Sequence, residues 1–209
     1  MGVIGILGTI HNDLEYRKKM GYPIEIMEKA IRDFMPDVIC GEVRPEDWQE
    51  YCKDKNYGGY LGPFEYRNLI IPLCEKHDMQ FIPVDWFERD LINYSLDGEF
   101  SETEQKEYEE QIFKIYDEIF KVAKQSKIPF NSFEFDELIK EKHKIQNEKE
   151  PIDNIVNWIT RNHIMIARIK NAIENNKEKR ILCTVGSEHN YFYYEELKKL
   201  GYEVVYPLK

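Results

Sequence analysis

Two short apolar runs, one near each end of the chain, finish in the same way. Residues 3–7 read Val-Ile-Gly-Ile-Leu and close in Gly8-Thr9-Ile10-His11; residues 181–185 read Ile-Leu-Cys-Thr-Val and close in Gly186-Ser187-Glu188-His189. A continuous apolar run of this length, followed by turn residues, reads as a strand buried on both faces. Such strands belong to sheets covered by helices, so this pair limits the fold more than any other feature. In open α/β sheets, ligands bind in the crevice outside the carboxyl ends of the strands. Each histidine stands at such an end. The glycine before it allows a tight turn and close backbone approach to a ligand, so Gly8 and Gly186 are candidate ligand-binding positions. Two histidines at equivalent strand ends can meet in one crevice.

The residues between supply the rest of an alternating pattern. Residues 25–34 predict a helix with Ile26, Met27, Ala30, Ile31 and Phe34 on one face, stopped by Pro36. Residues 37–43 predict a second strand, ended by Arg44-Pro45, which leaves Glu42 at its carboxyl end. If the strands are parallel, Glu42 shares an edge of the sheet with His11 and His189. A glycine-rich loop over 56–62 leads to a helix over 63–77, and a strand over 80–84 delivers Asp85-Trp86. This order predicts a single α/β domain with a mostly parallel or mixed central sheet flanked by helices.

Residues 88–150 differ in kind. Ile112, Ile115, Tyr116, Ile119, Phe120 and Ala123 form a helical stripe among many Glu, Lys and Gln residues, which predicts a helical insertion or lid broken at Pro129. Residues 141–150 read as an exposed, mobile turn. Pro151 starts another helix, running to about residue 175, with the stripe Ile155, Ile159, Ile166, Ile169 and Ile173. Arg161 and Asn162 fill a gap in that stripe. A buried guanidinium needs a carboxylate or a polar cavity, so Arg161 either reaches a surface acid or lines the crevice. A helix over 191–200 and a strand over 203–207 complete the pattern.

With 39 acidic and 29 basic residues, the formal net charge is −10, which disfavours nucleic acid or an anionic membrane as partner. No apolar run approaches a membrane span and no signal peptide is visible, so a cytoplasmic location is expected. The four cysteines contain no Cys-x-x-Cys pair and read as reduced and structural.

Gly8-Thr9-Ile10-His11, Glu42 followed by Arg44, Arg161-Asn162 with Met165 and Ile169, and Gly186-Ser187-Glu188-His189 leading to a Leu-x-x-x-Gly-Tyr-x-Val ending together resemble the TraB/GumN/Tiki superfamily. The resemblance covers residues 3–44 and 158–206. This chain has Ser187-Glu188 where the family usually has Gly-Ala-Gly-His, and it lacks the glycines that commonly follow the second histidine. The resemblance implies a metal-dependent hydrolase, with peptidase members that use manganese or cobalt.

The residues support the same chemistry independently. Two neutral imidazoles and a carboxylate, His11, His189 and Glu42, leave open positions on a divalent metal such as Mn, Co or Zn, whose bound water becomes a nucleophile near neutral pH. Arg161 and Asn162 suit an oxyanion on a peptide or small carbonyl substrate. Glu188 could be the general base, or Glu42 could be if it is not a ligand. Blander readings accompany these: Glu188 facing solvent, Asp85 capping a helix, His77 and His143 at the surface, His163 satisfied within the core, and Tyr191 to Tyr194 as packing. The alternative function is a binding module that holds haem or a metal without turnover, as ChaN-like proteins with a similar Gly-x-x-His start are thought to do.

Overall fold

β1 (Ile4–Thr9), β2 (Val38–Gly41), β3 (Gln80–Pro83), β4 (Ile181–Gly186) and β5 (Val204–Val205) form one all-parallel sheet in the order β3-β2-β4-β1-β5. They belong to a computed structural model that describes residues 2–88 and 101–208. Alternation along the strands sorts the core into two layers. Ile4, Ile6, Val38, Cys40, Cys183 and Val185 face α7 (Ile152–Asn175) and α8 (Asn190–Lys199), where Met165, Ile169, Tyr193 and Leu197 receive them. Leu7, Ile39, Phe81 and Leu182 face the opposite way, toward α2 (Ile24–Phe34) and α4 (Ile71–His77), and toward α5 (Glu102–Ala123) and α6 (Phe133–Lys149). With both faces covered, near-continuous apolar strands are what the sheet requires.

The chain moves from β1 to β2 to β3 through helices on one face, adds α5 and α6 to that same face, and then reaches β4 and β5 through α7 and α8 on the other. β4 therefore lies between β1 and β2, and the order reverses there. β5 is shorter than the expected 203–207 and bonds only to Ile4 and Gly5 of β1. The edge of β1 at Gly8, which β5 leaves unpaired, is completed by buried side chains instead. Asn131 Oδ1 accepts from the Gly8 N–H at 2.7 Å, and Asn131 Nδ2 and the Tyr22 hydroxyl donate to the Gly8 carbonyl at 3.0 and 2.9 Å.

Several expectations need correction. Two helices were not anticipated: α1 (Leu14–Lys19), capped by Asp13, and α3 (Pro45–Lys53), where Pro45 both ends β2's neighbourhood and occupies the first helical turn. The segment over 63–77 opens with a π-turn, Tyr66–Ile70, just before Pro72, which lacks an N–H for the regular ladder. Residues 141–150 are not a mobile turn, because α6 runs on to Lys149 and buries Lys142 and His143. His143 is therefore no surface residue. Ile159 is 45 % exposed, because the inward face of α7 carries Asn162, Met165, Ile166 and Ile169 instead. His77 is exposed as expected, whereas His163 is exposed and sets its ring edge-on to Phe192. All four cysteines are free, and three of them, Cys40, Cys74 and Cys183, are buried. Among the described residues no helix is long and apolar enough to cross a membrane. Residues 89–100 of the expected insertion lie outside the described residues.

Asp136 gives this core a pH dependence. Its side chain is buried and Oδ1 accepts from the Tyr206 hydroxyl at 3.0 Å, while Oδ2 has no partner among the described residues. Burial pushes the carboxyl up to about 7, from 3.8 for the free group. Between those values the folded state holds a proton that the unfolded state has released, so stability falls as pH rises through that window and the loss is complete above it. Asp136→Asn removes the penalty. Urea unfolding should find the variant more stable than wild type by about 1–3 kcal/mol at pH 8, with little difference at pH 4. Equal offsets at both pH values would contradict this account.

Candidate functional site

The strand order sets four side chains in a row. The chain leaves β3, β2, β4 and β1 through Asp85, Glu42, His189 and His11, all at one edge of the sheet. Glu42 is at their centre and fully buried. Its Oε2 accepts from the Gly186 N–H at 2.6 Å and lies 3.0 Å from His11 Nε2. Its Oε1 accepts from Arg161 Nη2 at 3.0 Å and lies 3.8 Å from His189 Nε2. Arg161 Nε donates to Asp85 Oδ1 at 2.8 Å. The gap in the α7 stripe is thereby explained: Arg161 reaches inward across the sheet edge to two buried carboxylates.

Each histidine is held from behind. Asn162 Nδ2 donates to the Trp158 carbonyl at 2.8 Å, so its Oδ1 is the acceptor for His189 Nδ1 at 2.7 Å. His189 Nδ1 thus carries the hydrogen, and Nε2 presents a lone pair toward Glu42. His11 Nδ1 donates to Glu65 Oε1 at 2.8 Å, and its Nε2 likewise faces Glu42.

The charges follow from this geometry. Burial alone would raise the Glu42 carboxyl, but His11, Arg161 and His189 hold it well below the usual carboxylate range. Burial opposes charge on His11 as well. Glu42 and Glu65 outweigh it and lift the imidazole to about 10. His189 goes the other way, because burial, reinforced by Arg161, pushes it down to about 3 and leaves the ring neutral. Trp158 lies flat on that ring, with centroids 4.2 Å apart at 18°.

Beside this cluster opens a cavity of about 920 Å³, whose wall includes Arg161, Trp158, Trp86, Tyr60, His143 and Glu188. Arg161 is common to both, and its Nη1 has no partner among the described residues. His11 has its own opening to solvent, since 36 % of its side chain is exposed.

The structure brings His11, Glu42, His189 and Arg161 together. Glu188 is elsewhere: Oε1 accepts from Lys142 Nζ at 2.5 Å and Oε2 lies 3.2 Å from His143 Nε2, which hold it below the usual range although desolvation pushes the other way. So engaged, Glu188 is not poised as a general base at Glu42. Asn162 holds the His189 ring through Oδ1 and the Trp158 carbonyl through Nδ2, and it does not line the cavity. Gly8 is packed rather than ligand-facing, since a Cβ there would lie 2.3 Å from Asn190 Nδ2. Gly186 does belong to the site, through its N–H and because a Cβ there would lie 2.6 Å from His11 Nε2. Asp85 pairs with Arg161 rather than only capping a helix. Sequence reasoning missed Glu65, Lys142 and His143. Glu65 follows the glycine-rich loop as one acid among many, and no local signal marks it.

Among the described residues no three His, Cys, Asp or Glu side chains stand as a ready metal cage. His11, Glu42 and His189 are donor types that a first-row divalent ion takes, with Nε2 of the rings 3.0 Å from Oε2 and 3.8 Å from Oε1 of the carboxylate, and an ion there would require His11 to give up its proton. Each imidazole also has the outer hydrogen bond at Nδ1 that metal-bound histidines almost always make.

Gly186→Ala tests the packing of this site. The backbone there, φ −53° and ψ 133°, suits alanine, so the variant should fold at a cost of about 1–3 kcal/mol and turn the His11 ring off Glu42. A crystal structure of the variant with that ring still against Glu42 would refute this. No protein-family model, no curated protein and no solved structure matches the chain.

Proposed function

We propose that this protein is a metal-dependent hydrolase of peptide or other carbonyl substrates, related to the TraB/GumN/Tiki superfamily that it resembles, with a divalent Mn, Co or Zn ion held by His11, Glu42 and His189. One observation carries the reading. His189 Nδ1 is tied to Asn162 Oδ1, so its buried Nε2 turns a lone pair toward a carboxylate oxygen of Glu42 3.8 Å away. Two electron-rich atoms so placed repel each other in a low-dielectric site, and a cation between them removes that cost. A bound divalent ion supplies a nucleophilic water near neutral pH and polarises a carbonyl.

The chain's own residues do the rest. Asn162 and Glu65 fix the two rings so that both Nε2 atoms point inward. Arg161, locked by Glu42 and Asp85, offers its remaining Nη1 donor to charge developing on a carbonyl oxygen. The cavity beside it accepts the substrate, with Trp86, Trp158 and Tyr60 as apolar wall. Residues 101–150 complete that wall, and the packing of Ile115, Ile119 and Phe135 into the sheet core holds it in place. Of the two glutamates considered as base, Glu188 is engaged by Lys142 and His143, and Glu42 serves as a ligand rather than as the base. The four free cysteines agree with a reducing, cytoplasmic setting.

The test is metal analysis of protein purified without chelator, then a peptide and ester screen on stripped protein with Mn, Co or Zn restored. His11→Ala and His189→Ala should each lose both ion and hydrolysis. Arg161→Lys keeps the charge but loses the two-carboxylate fork, and should keep the ion while losing rate by about a hundredfold. Wild-type protein that takes up no ion ends the reading, and uptake of haem without turnover replaces it with the binding module.

A further inference from the structure

Behind His11 lies a pair of opposite charges that the proposed chemistry does not use. Arg17, on α1, and Glu65, just before the π-turn, are both fully buried. Their closest approach, Arg17 Nη1 to Glu65 Oε2, is 3.9 Å, too long for a hydrogen bond. Arg17 Nε and Glu65 Oε2 have no hydrogen-bond partner among the described residues. Purely for stability this is a poor arrangement, since a buried ion pair needs near-ideal geometry to offset desolvation, and apolar replacements of both partners are often as stable or more so.

Apart from a weak bond of Arg17 Nη2 to Met27 Sδ at 3.8 Å, the bonds that the pair makes converge on the turn carrying His11. Arg17 Nη1 donates to the Ile10 carbonyl at 2.5 Å and to Thr9 Oγ1 at 2.9 Å, so it fixes the backbone on the N-terminal side of His11. Its guanidinium lies 5.0 Å from the centre of the Tyr22 ring, and the Tyr22 hydroxyl holds the Gly8 carbonyl of the same strand end. Glu65 Oε1 fixes the ring at Nδ1. One partner sets where the residue begins and the other sets where its imidazole points.

We infer that Arg17 and Glu65 are a positioning pair for His11, retained to aim Nε2 at Glu42 rather than to stabilise the fold. The inference rests on the metal reading only for its effect on ion affinity, not for the geometry. A carboxylate that holds the far nitrogen of a metal-bound histidine typically changes metal affinity 10–100-fold, and Glu65 occupies that place.

The experiment uses the double variant Arg17→Met/Glu65→Leu, which removes both charges together and avoids leaving either one buried alone. Glu65→Gln serves as the conservative variant, because its amide oxygen still accepts from Nδ1–H. Three readouts are taken on the full chain: thermal unfolding, the rate at which diethyl pyrocarbonate modifies His11 followed by mass spectrometry, and cobalt(II) titration followed by visible absorption. The double variant should unfold at or above the wild-type temperature. Its His11 should be modified several-fold faster, and cobalt should bind roughly 10–100-fold more weakly with an altered spectrum. Glu65→Gln should restore most of the wild-type modification rate. A double variant that no longer folds would make the pair structural and overturn the inference, as would one that folds with unchanged His11 reactivity. If wild type binds no cobalt, the metal reading fails, and the His11 reactivity still decides the positioning role.

Discussion

A single carboxylate buried in the middle of the sheet edge governs the arrangement around it. Glu42 has no exposed surface, and an isolated charge in that position would be driven to protonate. It stays ionised because three segments reach it: the backbone N–H at the end of β4, the guanidinium of α7 and the imidazole after β1. Attraction to these groups therefore wins over desolvation. The same contacts fasten four distant parts of the chain to one another. Removing any one of the three would leave a buried charge short of partners, which costs far more than a surface ion pair contributes.

How much of this is legible in the sequence follows from where each signal lies. The apolar runs with their Gly-x-x-His endings are local, and local patterning suffices for the α/β class, the strand ends, and the inward placement of His11, Glu42 and His189. Arg161 is legible as an anomaly, a charge in an apolar stripe, but its partners are not, because they come from β2 and β3. The fate of α6 is hidden for a different reason. Lys142 and His143 sit among glutamates and lysines that look solvated, and what buries them is Glu188, about 45 residues further along. Glu188 reads as a candidate base on its own and proves to be their counter-ion. Composition describes one segment, whereas burial of a charge depends on a second segment that composition does not name.

Aromatic packing joins the added helices to the site. Trp158 contacts two imidazoles, with ring centroids 4.2 Å from His189 and 4.6 Å from His143. His143 in turn bonds Tyr191 of α8 and Glu188 of the turn after β4. The wall of the cavity and the ring of His189 are thus parts of one packed stack. A close-packed interior transmits displacement rather than absorbing it, so a molecule that moved Trp158 would also press on His189.

The placement of β4 also says something about time. β1 bonds only to β4 and β5, and both lie near the other end of the chain, whereas β2 and β3 pair with each other from neighbouring sequence. During synthesis the β2–β3 ribbon has its partner early, while β1 has no strand to join until residues beyond 180 have emerged. His11 and Glu42 are not neighbours before then, because the strand that separates and connects them is still missing. Long-range pairings of this kind are slow to form. In the finished sheet the charged cluster is complete only with β4 in place, because that strand supplies the Gly186 N–H and leads to His189.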